Sequence, residues 1–193
     1  MITGHFGLAA AVKAKRPECP LWVLMLATVW LDIIFVPLFL ANIETIEKAP
    51  DATRPYGDGI IHATYTHSIP GVILLAGIFG YACARRWGKS VGWVAALVVA
   101  SHWLLDVIVH RADLVLIPGV TALPALGLGL WRYPYAAAGV ELAILLAGSA
   151  LYWQAARAAQ IKAGQSTTRA NGLALFLLLS GLLVLVMDFN GIA

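Results

Sequence analysis

The chain has 193 residues, of which 61% are hydrophobic and only 12% charged, with a net charge of +3 and a mean hydropathy of +0.83. That excludes an ordinary soluble domain, in which about 25% of residues carry charge. The basic excess does not point to direct nucleic-acid binding, because the lysines and arginines fall in short clusters beside apolar segments, as topology signals do.

Residues 1–12 contain an apolar run, Phe6 to Val12, that is too short to cross a bilayer and ends at Lys13, Lys15 and Arg16. It reads as an N-terminal half-helix dipping in from the basic side. Apolar runs bounded by charge, Pro or Gly then predict five transmembrane helices, at 21–41, 69–84, 91–110, 135–156 and 171–190. The first has the outline of a signal peptide, but it is long for one and carries Asp32 in its middle, so it is expected to be retained. After Asp113 comes an uncharged stretch punctuated by Pro118, Gly119, Pro124, Gly127 and Gly129. It predicts a re-entrant or interfacial segment acting as a lid, since irregular backbone at membrane depth must line protein or water. The expected fold class is all-α: a polytopic membrane helix bundle in a single domain, 1–193.

Orientation follows from the basic residues. Nine of them (Lys13, Lys15, Arg16, Arg85, Arg86, Lys89, Arg157, Lys162 and Arg169) fall on one side of the threading, against Lys48, Arg54, Arg111 and Arg132 on the other. The positive-inside rule places the N-terminus in the cytoplasm and the C-terminus outside. Trp22, Trp87, Trp93 and Trp153 fall at the same cytoplasmic interface. Cys19 and Cys83 form no CxxC pair, so neither a disulfide framework nor a thiolate zinc site is expected.

Charged groups inside a bilayer are costly and mark function by default. His102, Asp106 and His110 recur every four residues and share one face of the third span. Asp32 sits near the middle of the first span, and Glu141 about 9 Å into the fourth by helical rise. His67 opens the second span after Tyr65 and Thr66. All fall in the same half of the membrane, so a shared site is the economical expectation. The i,i+4 pair His102/Asp106 also describes a structural hydrogen bond, and the spacing around His67 decides nothing by itself. His5 reads alone as a terminal residue, His62 and His110 as interfacial, and Asp113 and Asp188 as solvated span ends. Glu141 reads as a supporting partner or base. His and Asp donors without cysteine suit a divalent metal: zinc first, manganese or iron as alternatives.

Three motifs resemble a family, the bacterial inner-membrane-associated metal-dependent hydrolases, also titled LexA-binding inner-membrane hydrolases. They are Gly4-His5, Tyr65-Thr66-His67-Ser68, and Ser101-His102-Trp103-Leu104-Leu105-Asp106 followed by His110-Arg111 and a Pro-containing apolar segment. Asp32 falls where that family has an acidic residue in its first long helix; here Val29-Trp30-Leu31-Asp32 supplies a single one. The resemblance implies a hydrolase of the bacterial inner membrane with His5, Asp32, His67, His102 and Asp106 at a metal.

The expected activity is hydrolysis of an amphiphilic or lipid-like substrate by metal-activated water, with Asp32, His102, Asp106 and Glu141 catalytic. Membrane lipids and an amphiphilic small molecule are the expected partners, and a homo-oligomer is left open. Two alternatives stand beside it. The same stripe could conduct protons or metal ions, although polar residues thin out toward the cytoplasmic half. Buried pairs could instead only specify packing in a non-catalytic subunit, with Gly71, Gly77, Gly80, Gly139 and Gly148 giving close helix contacts. HExxH, GxSxG and P-loop signatures are absent from the sequence.

Overall fold

The computed structural model describes residues 1–192. Seven α-helices carry the architecture: α1 (Ile2–Lys15), α2 (Leu21–Thr28), α3 (Trp30–Leu40), α4 (Ile69–Trp87), α5 (Lys89–Val109), α6 (Pro134–Lys162) and α7 (Thr168–Phe189). The last four are each long and apolar enough to cross a membrane. α2 and α3 reach that length only as a pair, bent by 45° at Val29. The expected first span is therefore broken, and its break proves central to the site.

Local sequence explains where the helices start and turn. Ser68 caps α4 by accepting from the Gly71 N–H, and Pro70 fits the first turn, where no amide donor is needed. α4 and α5 are joined by Gly88 alone, whose φ of 90° suits glycine and lets the two helices pack antiparallel. Small residues set their separation: a side chain at Gly92 would meet Ala84 and the Gly80 carbonyl. Below the site, Val23, Leu24 and Ala27 of α2, Ala76, Phe79 and Cys83 of α4, and Val91, Ala95, Val98 and Val99 of α5 form one buried apolar cluster. Cys19 and Cys83 are both buried there as free thiols.

α1 is longer than the apolar run from Phe6 to Val12 and lies in a groove of α6 so close that Gly7 and Gly148 meet backbone to backbone. It runs from the site end of the bundle to the basic end. Met1 is buried with Val109, Trp131, Ala137 and Leu185 at the site end of the bundle. The basic end comes last, where Lys13 donates to the carbonyls of Pro17 and Cys19.

An element with no counterpart in the all-α expectation is a two-stranded antiparallel hairpin, β1 (Thr45–Lys48) and β2 (Gly59–His62), with Thr45 opposite His62 and Lys48 opposite Gly59. Arg111 clamps its connecting loop, donating to the Gly57 carbonyl and to Asp51. The 114–131 segment forms no α-helix. Leu114 and Leu126 pair, Leu128 N–H donates to the Val107 carbonyl, and Gly129 N–H to that of His110. It ends in a short 3-10 turn, Leu130–Arg132. Of this segment only Trp131 reaches the site cavity, to which the hairpin contributes Ile46 and Ile61.

Candidate metal centre

The donors come from helix α5 and from the helices and turns packed around it. His102 and Asp106 stand one turn apart on α5, with Asp106 Oδ2 2.8 Å from His102 Nε2. The other ring nitrogen, His102 Nδ1, lies 2.6 Å from the carbonyl of Thr28, at the break between α2 and α3. A helix end leaves carbonyls without partners in their own helix, and the bend aims this one at the ring. Asp32 enters from the first turn of α3, its Oδ1 3.5 Å from both His102 Nε2 and His67 Nε2. His67 comes from the turn before α4, its Nε2 3.2 Å from His102 Nε2 and 3.7 Å from Asp106 Oδ2.

Hydrogen-bond direction fixes what these nitrogens offer. A carbonyl only accepts, so His102 Nδ1 carries the hydrogen, and Nε2 is the nitrogen turned inward to Asp106 and His67. Glu44 accepts from the backbone amides of Tyr65 and Thr66 and, as a carboxylate, from the Thr66 hydroxyl. The hydroxyl is thereby left to accept from His67 Nδ1, 2.8 Å away, and His67 Nε2 is the nitrogen turned inward. The Trp103 indole N–H holds the His67 carbonyl at 2.7 Å. A third imidazole repeats the pattern: His110 Nδ1 lies 3.0 Å from Asp113 Oδ1, and its Nε2 faces Asp106 Oδ2 at 3.9 Å.

Three ring nitrogens and two carboxylates thus converge. His67, His102, His110 and Asp106 are at least nine-tenths buried, whereas the Asp32 side chain is 43% exposed and forms the open edge. Acceptors packed this closely repel unless a proton or a cation lies among them. Two overlapping groups, His5/His102/Asp106 and Asp32/His67/His102, have donor atoms close enough to hold a metal ion. Donors 2.0–2.1 Å from a tetrahedral zinc stand about 3.3–3.4 Å apart. The separation of His67 from His102, and those of each of these rings from Asp32 and Asp106, run from 2.8 to 3.7 Å and bracket that value.

These donors line a cavity of about 250 Å³ whose remaining wall is apolar: Phe35, Val36, Ile46, Ile61 and Trp131 among others. Trp131 also packs on His110, with ring centroids 4.4 Å apart.

Of the expected site residues, the fold brings His5, Asp32, His67, His102 and Asp106 together. It does not bring Glu141 there. Glu141 is fully buried, but it accepts from the Gly4 N–H, in the first turn of α1, at 3.0 Å and from the Tyr56 hydroxyl. Burial and the Glu141 charge hold the Tyr56 phenol far above its usual pKa, so it remains the donor. The expected catalytic role of Glu141 is therefore corrected to an anchoring one: its carboxylate caps the helix that carries His5. The expected interfacial reading of His110 and the solvated reading of Asp113 are corrected as well, because both are buried in the site. Sequence reasoning also missed Glu44, which no periodicity marks. His62 is exposed beside Glu47, as an interfacial residue should be.

No protein-family model, curated protein or solved structure matches the chain.

Proposed function

We propose that this protein is a membrane-embedded metal-dependent hydrolase acting on an amphiphilic substrate. The observation that carries the reading is the convergence of His67 Nε2 and His102 Nε2 with the Asp32 and Asp106 carboxylates at 2.8 to 3.7 Å, distances that bracket tetrahedral spacing. A divalent ion held by those four residues, zinc first, would supply Lewis acidity and, on taking up water as a fifth ligand, lower the pKa of that water to about 7.

The chain's own residues supply the rest. Thr28 and the Thr66–Glu44 pair hold two imidazoles in the tautomer that binds a metal. His110, outside the four-donor group, is placed to take a proton at Nε2 while the Asp113 carboxylate stabilises the resulting imidazolium through Nδ1. Val36 and Ile46, 51% and 45% exposed, form an apolar rim between α3 and the hairpin, suited to a tail lying beside a polar head in the cavity.

The transport alternative is disfavoured by what lies beneath the site. The apolar cluster from Cys19 to Val99 fills the bundle below His102 and offers no polar path for an ion.

Metal analysis of detergent-purified wild type beside His102→Ala and Asp106→Ala, followed by hydrolysis assays on ester and phosphoester amphiphiles, tests the reading. Near-stoichiometric metal that both variants lose, with turnover lost alongside, is expected. A folded wild type that takes up no metal when it is added back would falsify the assignment. Metal uptake into proteoliposomes above empty vesicles would move it to the transport class.

A further inference from the structure

The four-donor group leaves three buried atoms unexplained. Both ring nitrogens of His5 and Asp106 Oδ1 have no hydrogen-bond partner, although the residues are only 1% and 2% exposed. Each unpaired buried polar group costs about 1–3 kcal/mol. His5 Nε2 lies 3.4 Å from Asp106 Oδ1, again the separation of about 3.3–3.4 Å expected of two donors on one tetrahedral ion. Packing holds His5 there, with its ring centroid 4.0 Å from that of His102 and its helix capped by Glu141.

Asp106 is the hinge of the arrangement. Its Oδ2 faces His67, His102 and His110, its Oδ1 faces His5, and among the described residues it forms no ion pair with a lysine or arginine. A carboxylate offers lone pairs on both oxygens and can serve two cations at once.

We propose that the site takes two divalent ions bridged by Asp106: one held by Asp32, His67, His102 and Asp106 Oδ2, the other by His5 and Asp106 Oδ1. The proposal rests on the metal reading above and adds to it. The first position has four protein donors, a full tetrahedral set, and binds tightly. The second has two and keeps places for water and substrate, the open arrangement of a catalytic position. Paired ions of this kind clamp both the attacking and the leaving oxygen of a displacement.

The test titrates Mn²⁺ alone into the chelator-stripped, detergent-purified full chain, reading ions bound per chain and the low-temperature electron paramagnetic resonance spectrum. Two Mn²⁺ per chain are expected, the second binding more weakly and converting the hyperfine-split spectrum of an isolated ion into that of an exchange-coupled pair. His5→Phe should stop at one ion and show no coupling. Saturation of the wild type at one ion, or two ions without coupling, overturns the proposal. The wild-type spectrum decides alone if the variant does not fold. A wild type that binds no Mn²⁺ overturns the metal reading itself, and the second ion with it.

Discussion

The two halves of α5 are built on opposite plans. Toward Lys89 the helix is set by small and branched apolar residues: Gly92 and Ala96 against α4, and Val91, Ala95 and Val98 in the dry cluster. Toward Val109 it carries His102 and Asp106, and three of their neighbours are interruptions of regular structure: the Thr28 carbonyl at a helix break, His67 in a turn, His110 just past the last helical residue. Regular helices satisfy their own backbone and so have little to offer a polar side chain. Broken ones free carbonyls and amides, and inside a bilayer those groups must be used. The dry half therefore supplies rigidity, and the irregular half supplies orientation.

Mutations in the two halves should separate these roles. Asp106→Asn should have the largest effect, lowering Zn²⁺ affinity by more than the roughly 10–100-fold that loss of an outer partner costs; isothermal titration would measure it, and an unchanged affinity would remove Asp106 from the centre. Thr66→Val keeps the shape but deletes the hydroxyl between His67 and Glu44, and should weaken metal binding by about 10–100-fold. Thr66→Ser should restore it, which simple loss of packing would not permit. In the dry half, Gly92→Leu should cost about 1–3 kcal/mol by overpacking against Ala84 and the Gly80 carbonyl. A lower thermal midpoint with Zn²⁺ affinity intact in the folded fraction is the expected pattern; equal loss of both would collapse the distinction between the halves. Glu141→Gln should disturb the four-donor group least. It gives up part of a charged hydrogen-bond pair, about 1.5–3 kcal/mol of stability, while binding of the first metal ion and its dependence on His102 persist. A variant as metal-free as His102→Ala would return Glu141 to the ligand set.

Hydropathy made the long helices legible because membrane length and charge exclusion act on residue type alone. The same rules placed Asp32, His102 and Asp106 at a common depth. Depth says nothing about face, however, and there the sequence reading failed for Glu141, which turns toward α1 rather than toward the donors. His110 looked interfacial because a straight helix would carry it to the edge. In the structure the chain folds back over it through the Gly129–His110 hydrogen bond and Trp131. The hairpin was illegible for another reason: two strands of four residues separated by a long loop give too little alternation to register. Glu44 went with it, since a loop carboxylate carries no mark of the threonine it will meet.

The close seat of α1 against α6 has a consequence in time. Gly7 touches Gly148, Gly4 is held by Glu141, and the Thr3 hydroxyl donates to the carbonyl of Gly181 on α7. Synthesis proceeds toward the C-terminus, so Glu141, Gly148 and Gly181 are all made long after α1. His5, on α1, is thus the last donor to reach its place. Contacts of such long sequence separation form slowly, and a nascent or truncated chain lacking α6 and α7 would carry the first four donors without the fifth.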